Sequence, residues 1–354
     1  ATASGAGGGV FVNEITGGVA IKTVDAGAGN AELISAGAIT DFGNDALINI
    51  TAADLIVTAT AGAIGATGTN GQIETALTSL TATAAGAGGG VFVNEITGGV
   101  AIKTVNAGAG NAEVASADAI TDFGNDAAVD ITAADLIITA TAGAIGATGT
   151  NGQLETDITS LTAAASGAGG GIFVNELNAN GVALKTVNAG TSSAEVVSAG
   201  SITDFAADAL INVTAGDLVM TATTGAIGAA GTAGQIETDV TSITAATPGN
   251  GGVFVNELDT SGVNGIALKT VNAGTGNVEI ASARTITDFA ADALINVTAT
   301  NLLLSAATGA VGAAGTAGQI ETDVATLTAA TPGNGGIFVN ELDTPTANGV
   351  ALNT

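Results

Sequence analysis

The chain has 354 residues, of which 32 are Asp or Glu and 5 are Lys or Arg, for a net charge of -27. Such an acidic balance repels nucleic acid and anionic membrane surfaces, so neither is expected as a partner. With no Cys, His, Trp or Tyr, disulfide staples, thiolate chemistry and imidazole-ligated metals are excluded, and stability has to come from backbone ladders and small-residue packing.

One stretch organises everything else. Val10-Phe-Val-Asn-Glu14 returns as Val91–Glu95, Ile172–Glu176, Val253–Glu257 and Ile337–Glu341, at separations of 81, 81, 81 and 84 residues. A fixed period of this size marks a tandem array in which each unit buries its apolar face against its neighbours. The units run approximately 9–89, 90–170, 171–251 and 252–335, with a partial copy at 336–354, and the array is read as one continuous solenoid over 1–354.

Taken in order, the first complete unit reads as short strands punctuated by Gly turns, as its Ala, Thr, Val and 54 Gly would have it. Gly37–Phe42 is expected as a strand, Gly43–Asp45 as a turn, Ala46–Thr51 as a second strand and Ala53–Thr60 as a third. A second sweep follows with Gly62–Thr67, Gln72–Leu77 and Ser79–Thr83, and a third with Gly90–Glu95, Val100–Val105 and Ala112–Ala117. The spacing predicts an all-β, three-faced parallel β-solenoid with about three coils per 81–84-residue repeat.

Period-2 alternation assigns the interior. Ile48, Ile50, Val129, Ile131, Ile211 and Val213 are expected inside, with Leu47, Asn49 and Asp130 outside. Leu55 and Val57, Leu136 and Ile138, Leu218 and Met220, Ile73 and Leu77, Ile102 and Thr104, and Leu80 are expected inside as well. The corner between each Asn-Glu and the following Lys strand is the one that lengthens, from Ile15–Val19 to Leu258–Ile266, and its insertions are expected to project outward. Pro248, Pro332 and Pro345 fall in corners, where a missing N–H removes no ladder bond.

The lead motif, the Gly-Ala-Ile openings such as Gly37–Asp41, and the strands typified by Leu55–Thr60 together resemble the repeat regions of filamentous-haemagglutinin-like proteins, large bacterial exoproteins and surface adhesins. The resemblance covers essentially the whole chain. It implies a right-handed parallel β-helix, export across the outer membrane, an extracellular or cell-surface location, and a shaft that carries adhesive parts with host or surface glycans as partners. No segment matches that family's N-terminal secretion domain, and the coils are longer than usual for it.

The chemistry of sites is sparse. β-Helical polysaccharide lyases and hydrolases need clustered carboxylates with Arg or Lys in a groove, whereas Arg284 is the only Arg and the Lys are repeat-equivalent, so no catalytic or cofactor-binding residue is expected. Glu155 with Asp157, Glu237 with Asp239, and Glu321 with Asp323 are carboxylate pairs that offer weak calcium positions on a solvated acidic face. The Asp41–Asp45 and Asp122–Asp126 turns invite the same reading, but their copies Asp204–Asp208 and Asp288–Asp292 lose the Asn, which favours plain turn chemistry.

Stacking of Ile48-Asn49-Ile50, Ile73-Glu74-Thr75 and Ile102-Lys103-Thr104 predicts an ion-pair ladder, Glu74 with Lys103, Glu155 with Lys185 and Glu237 with Lys269. Ala1 aligns with Ala82 and Thr354 with Thr270, both inside strands, so end-to-end association or continuation into further copies is expected. The functional expectation is a non-enzymatic extracellular structural or adhesive shaft. A carbohydrate-binding or carbohydrate-active β-helix is the alternative, and an ice-binding-like surface a further one, although Ile34, Val219 and Leu303 interrupt its Thr rows.

Overall fold

The computed structural model describes residues 1–3, 7–167, 169–259, 265–342 and 351–353. They form two compact units, Ala1–Leu177 and Asn178–Thr354. Each is an all-β parallel solenoid, with no helix among the described residues.

In the first unit, successive strands alternate between two hydrogen-bonded ladders. One carries Val10–Glu14, Ala31–Ser35, Asp54–Ala59, Ser79–Ala84 and Val100–Asn106. The other carries Val24–Asp25, Ile50–Thr51, Ile73–Ala76, Val91–Glu95, Ala112–Ser116, Asp135–Ala140 and Ser160–Ala165. The second unit alternates in the same way, and its longer strands Val213–Ala222 and Ile236–Ala246 run through the corner that joins the ladders.

The ladders also show how the sequence period maps onto coils. Following one column rung by rung leads from Asn13 to Ile34, Thr58, Thr83, Asn106, Thr132 and Asp157. A seventh rung, from Thr156, reaches Glu176, the copy of Glu14 two repeats on. Seven coils per two repeats is three and a half per repeat. A lead strand and its next copy therefore lie on different ladders.

The core is the stack of inward rows. Leu55, Leu80, Ile102, Leu136, Leu161, Leu184, Leu218 and Leu268 are fully buried, each contributing roughly 1.5–3 kcal/mol of apolar burial. Small side chains at the corners let neighbouring coils touch: a Cβ on Gly110 would lie 1.7 Å from the Gly89 carbonyl oxygen.

Each repeat also sends two loops out of a ladder. In the first repeat the chain leaves after Asp41 and returns at Ile50, then leaves after Ile64 and returns at Ile73. The strands expected at Gly62–Thr67 and Ala46–Thr51 therefore shrink to a single bridge at Ile64 and to Ile50–Thr51. The loops change burial too. Val129, expected inside, is 37% exposed, while Asn49 and Asp130, expected outside, are covered by the loops and buried. Thr104 is only half-buried, because a register shift between Ile102 and Thr104 bulges the strand at Lys103. Ile48 and Ile211, also expected inside, are only half-buried at the ends of the same loops, whereas the remaining interior assignments, including Met220 and Ile73, are buried as expected, and Leu47 is outside.

Pro248 and Pro332 sit in turns. Residues 260–264 of the longest insertion, and Pro345, lie outside the described residues.

Candidate metal centre

The lead motif earns its central place through its last two residues. Glu95 is buried and acts as a clamp: its carboxylate accepts hydrogen bonds from the Thr75 hydroxyl (2.9 Å) and the Leu77 amide (2.7 Å) on the coil below. Glu176, Glu257 and Glu341 repeat the arrangement on Thr156, Thr238 and Thr322. Burial pushes the pKa of Glu257 up to about 7, against the pull of its hydrogen bonds from Thr238, Val240 and Asp259.

One residue earlier, Asn94, Asn175, Asn256 and Asn340 pair in register with Glu74, Glu155, Glu237 and Glu321. These four glutamates are fully buried, and none of their carboxylate oxygens has a hydrogen-bond partner. Burial raises all four pKa values, with Glu74 and Glu237 at about 7.

This register overturns the expected Glu–Lys ladder. The lead strand itself occupies the rung above Glu74, so the Lys strand falls on the other ladder. Lys103 pairs with Asp54 at 2.8 Å and Lys269 with Asp217 at 2.7 Å, not with Glu74 or Glu237. Glu155 likewise lies under Asn175 rather than Lys185. Burial would raise the Asp54 carboxyl, but hydrogen bonds from Lys103 and Ser79 outweigh it and leave its pKa lowered. The Lys side chains also cover exposed rings: Lys103, Lys185 and Lys269 stand 4.4 Å above Phe123, Phe205 and Phe289.

Beneath the first loop of each repeat lies a polar knot. Asp41 accepts the amides of Gly43 (3.0 Å) and Asp45 (2.8 Å), and the Asn49 side-chain amide donates to its Oδ1 at 2.8 Å. The same Asn49 amide reaches the Ile21 carbonyl, while its Oδ1 accepts the Glu74 backbone N–H. Asn212 with Asp204 and Asn296 with Asp288 reproduce this knot at 2.9 and 3.0 Å.

The second repeat breaks the pattern, since Asp130 stands where the others have Asn. Its Oδ2 accepts the Glu155 backbone N–H at 3.0 Å, which leaves Oδ1 in the position of the missing amide. Asp122, Asp130 and Glu155 are 6%, 4% and 0% exposed, and each presents a carboxylate oxygen within 4.8 Å of the others. Burial, then the charges of Asp122 and Glu155, push the Asp130 carboxyl up to about 8.

Of the calcium candidates read from sequence, Glu155 joins this cluster, whereas Asp157 remains half-buried outside it. The pairs Glu237 with Asp239 and Glu321 with Asp323 divide in the same way, a buried Glu beside a half-buried Asp. Sequence reasoning placed Asp130 only in an outward column. The Asn-to-Asp change was visible, but its meeting with Asp122 and Glu155 depends on the loop folding back over the strand.

In the second unit, Thr191, Thr214, Thr241, Asp239 and Asp259 line a cavity of about 800 Å³.

The fold and its repeating knots define a tandem-repeat parallel β-solenoid. Compared with known protein families, curated proteins and solved structures, the chain matches none of them.

Proposed function

We propose that the chain is a non-enzymatic shaft segment of a larger extracellular or cell-surface repeat protein of the filamentous-haemagglutinin-like kind, with surface glycans or further copies of the array as partners. One observation carries this reading. The loops, clamps and Lys–Phe pairs recur from repeat to repeat, and the acidic cluster that departs from the pattern is buried, where no polymeric substrate reaches it. A catalytic groove would instead expose a unique acid and base.

The test has two arms. Antibody against the chain, applied to intact and lysed cells of its source, should label intact cells or their medium. The purified chain, offered a panel of polysaccharides, should bind without cleaving them. Label confined to lysed cells, or release of reducing ends, overturns the proposal.

A further inference from the structure

We propose that Asp122, Asp130 and Glu155 form a binding site for a single calcium ion. The argument starts from the three sibling knots. There, an Asn amide points its N–H at the Asp carboxylate and at the carbonyl of Ile21, Leu184 or Leu268. In the second repeat no side-chain amide occupies that point. It is ringed by oxygens: the carboxyl groups of Asp122, Asp130 and Glu155 and, by repeat equivalence, the carbonyl of Ile102.

Asp122 already accepts the amides of Gly124 at 2.7 Å and Asp126 at 2.9 Å, so the turn holds it rigidly. Glu155 adds a second observation: like its siblings it is fully buried with neither oxygen given a hydrogen-bond partner, and only in this repeat does it meet a second buried acid, Asp130, in place of an Asn amide. Buried, unpaired carboxylates are costly unless something positive joins them.

The spacing and chemistry select the ion. Oxygens that all lie within 4.8 Å of one another can share one ion whose bonds are about 2.3–2.6 Å, the calcium range. A dry pocket disfavours magnesium, which gives up water reluctantly. An all-oxygen, carboxylate-rich donor set is that of a hard cation rather than zinc or copper.

The experiment uses the whole chain, stripped with a chelator. Melting is followed in chelator, in about 5 mM CaCl2 and in about 5 mM MgCl2, and calcium binding is followed by calorimetry. Asp130→Asn is the control, since it rebuilds a knot that this chain already folds three times.

The wild type should take up one calcium per chain and gain several degrees in melting midpoint, with a smaller gain from magnesium. Asp130→Asn should lose the calcium response and, in chelator, melt at or above the wild-type midpoint. A wild type indifferent to calcium, stabilised only by lowering the pH, would mean that a shared proton fills the knot and would overturn the proposal. A calcium response that persists in Asp130→Asn would mean diffuse binding to the acidic surface and would overturn it equally.

Discussion

Replacing Glu74 with Gln isolates the effect of a buried, unpartnered carboxylate on stability. Glu74 is fully buried, its two oxygens lack hydrogen-bond partners, and burial, reinforced by Asp41 and Asp45, lifts its pKa from 4.5 to about 7. An acid whose folded-state pKa is raised holds its proton more tightly when folded. Its stabilising share is therefore complete below pH 4.5 and is lost as the pH climbs through 7. The rise corresponds to at most about 3.4 kcal/mol at ~1.36 kcal/mol per pH unit, and relaxation and water penetration around a buried charge reduce this to about 1.5–2 kcal/mol. For a unit of this size, that is about 3–8 °C in melting midpoint. Circular-dichroism melts of wild type and Glu74→Gln at pH 5 and pH 8 provide the assay. The difference between the two pH values should shrink by this amount in the variant, whatever the amide does to absolute stability. An unchanged difference would show that Glu74 titrates normally and that the burial argument fails.

Further outcomes follow from other sites. Gly110→Ala should destabilise by more than about 2 kcal/mol in urea unfolding, because its Cβ would sit 1.7 Å from the Gly89 carbonyl oxygen; a near-neutral result would refute the close corner contact. Ala207 holds φ 49° where the first repeats place Asn44 and Asn125, so Ala207→Gly should stabilise by about 1 kcal/mol, read as a higher melting midpoint. Lys103→Met removes a half-exposed ion pair with Asp54 and the contact with Phe123; it should cost about 1 kcal/mol and less in high salt. Leu136→Ala opens a fully buried site and should cost about 2–5 kcal/mol.

The period, the strand class and most of the interior are legible in the sequence, because alternation at Leu55, Val57, Leu136 and Ile138 reports directly on which side of a strand meets the core. The phase of stacking is not legible. Coil lengths are uneven, and nothing local distinguishes Ile102 stacked on Leu80 from Ile102 stacked on Ile73. That single ambiguity moved Lys103 from its actual partner Asp54 to an expected Glu74. Alternation likewise speaks of inside and outside the coil, but not of what a loop then covers. Asp130 points away from the core and is nevertheless buried, so the cluster at the second repeat emerges only once the loop is closed over it.

The half-integral number of coils per repeat has a bearing on how such genes change length. Within the first unit, the loop after Asp41 leaves one ladder and its copy after Asp122 leaves the other. Recombination between adjacent copies removes or adds 81 residues and keeps the reading frame of the strands, yet it exchanges the ladder on which every later loop appears. Only changes by an even number of copies restore the original side. Parity of copy number, rather than copy number itself, therefore sets which side later loops display.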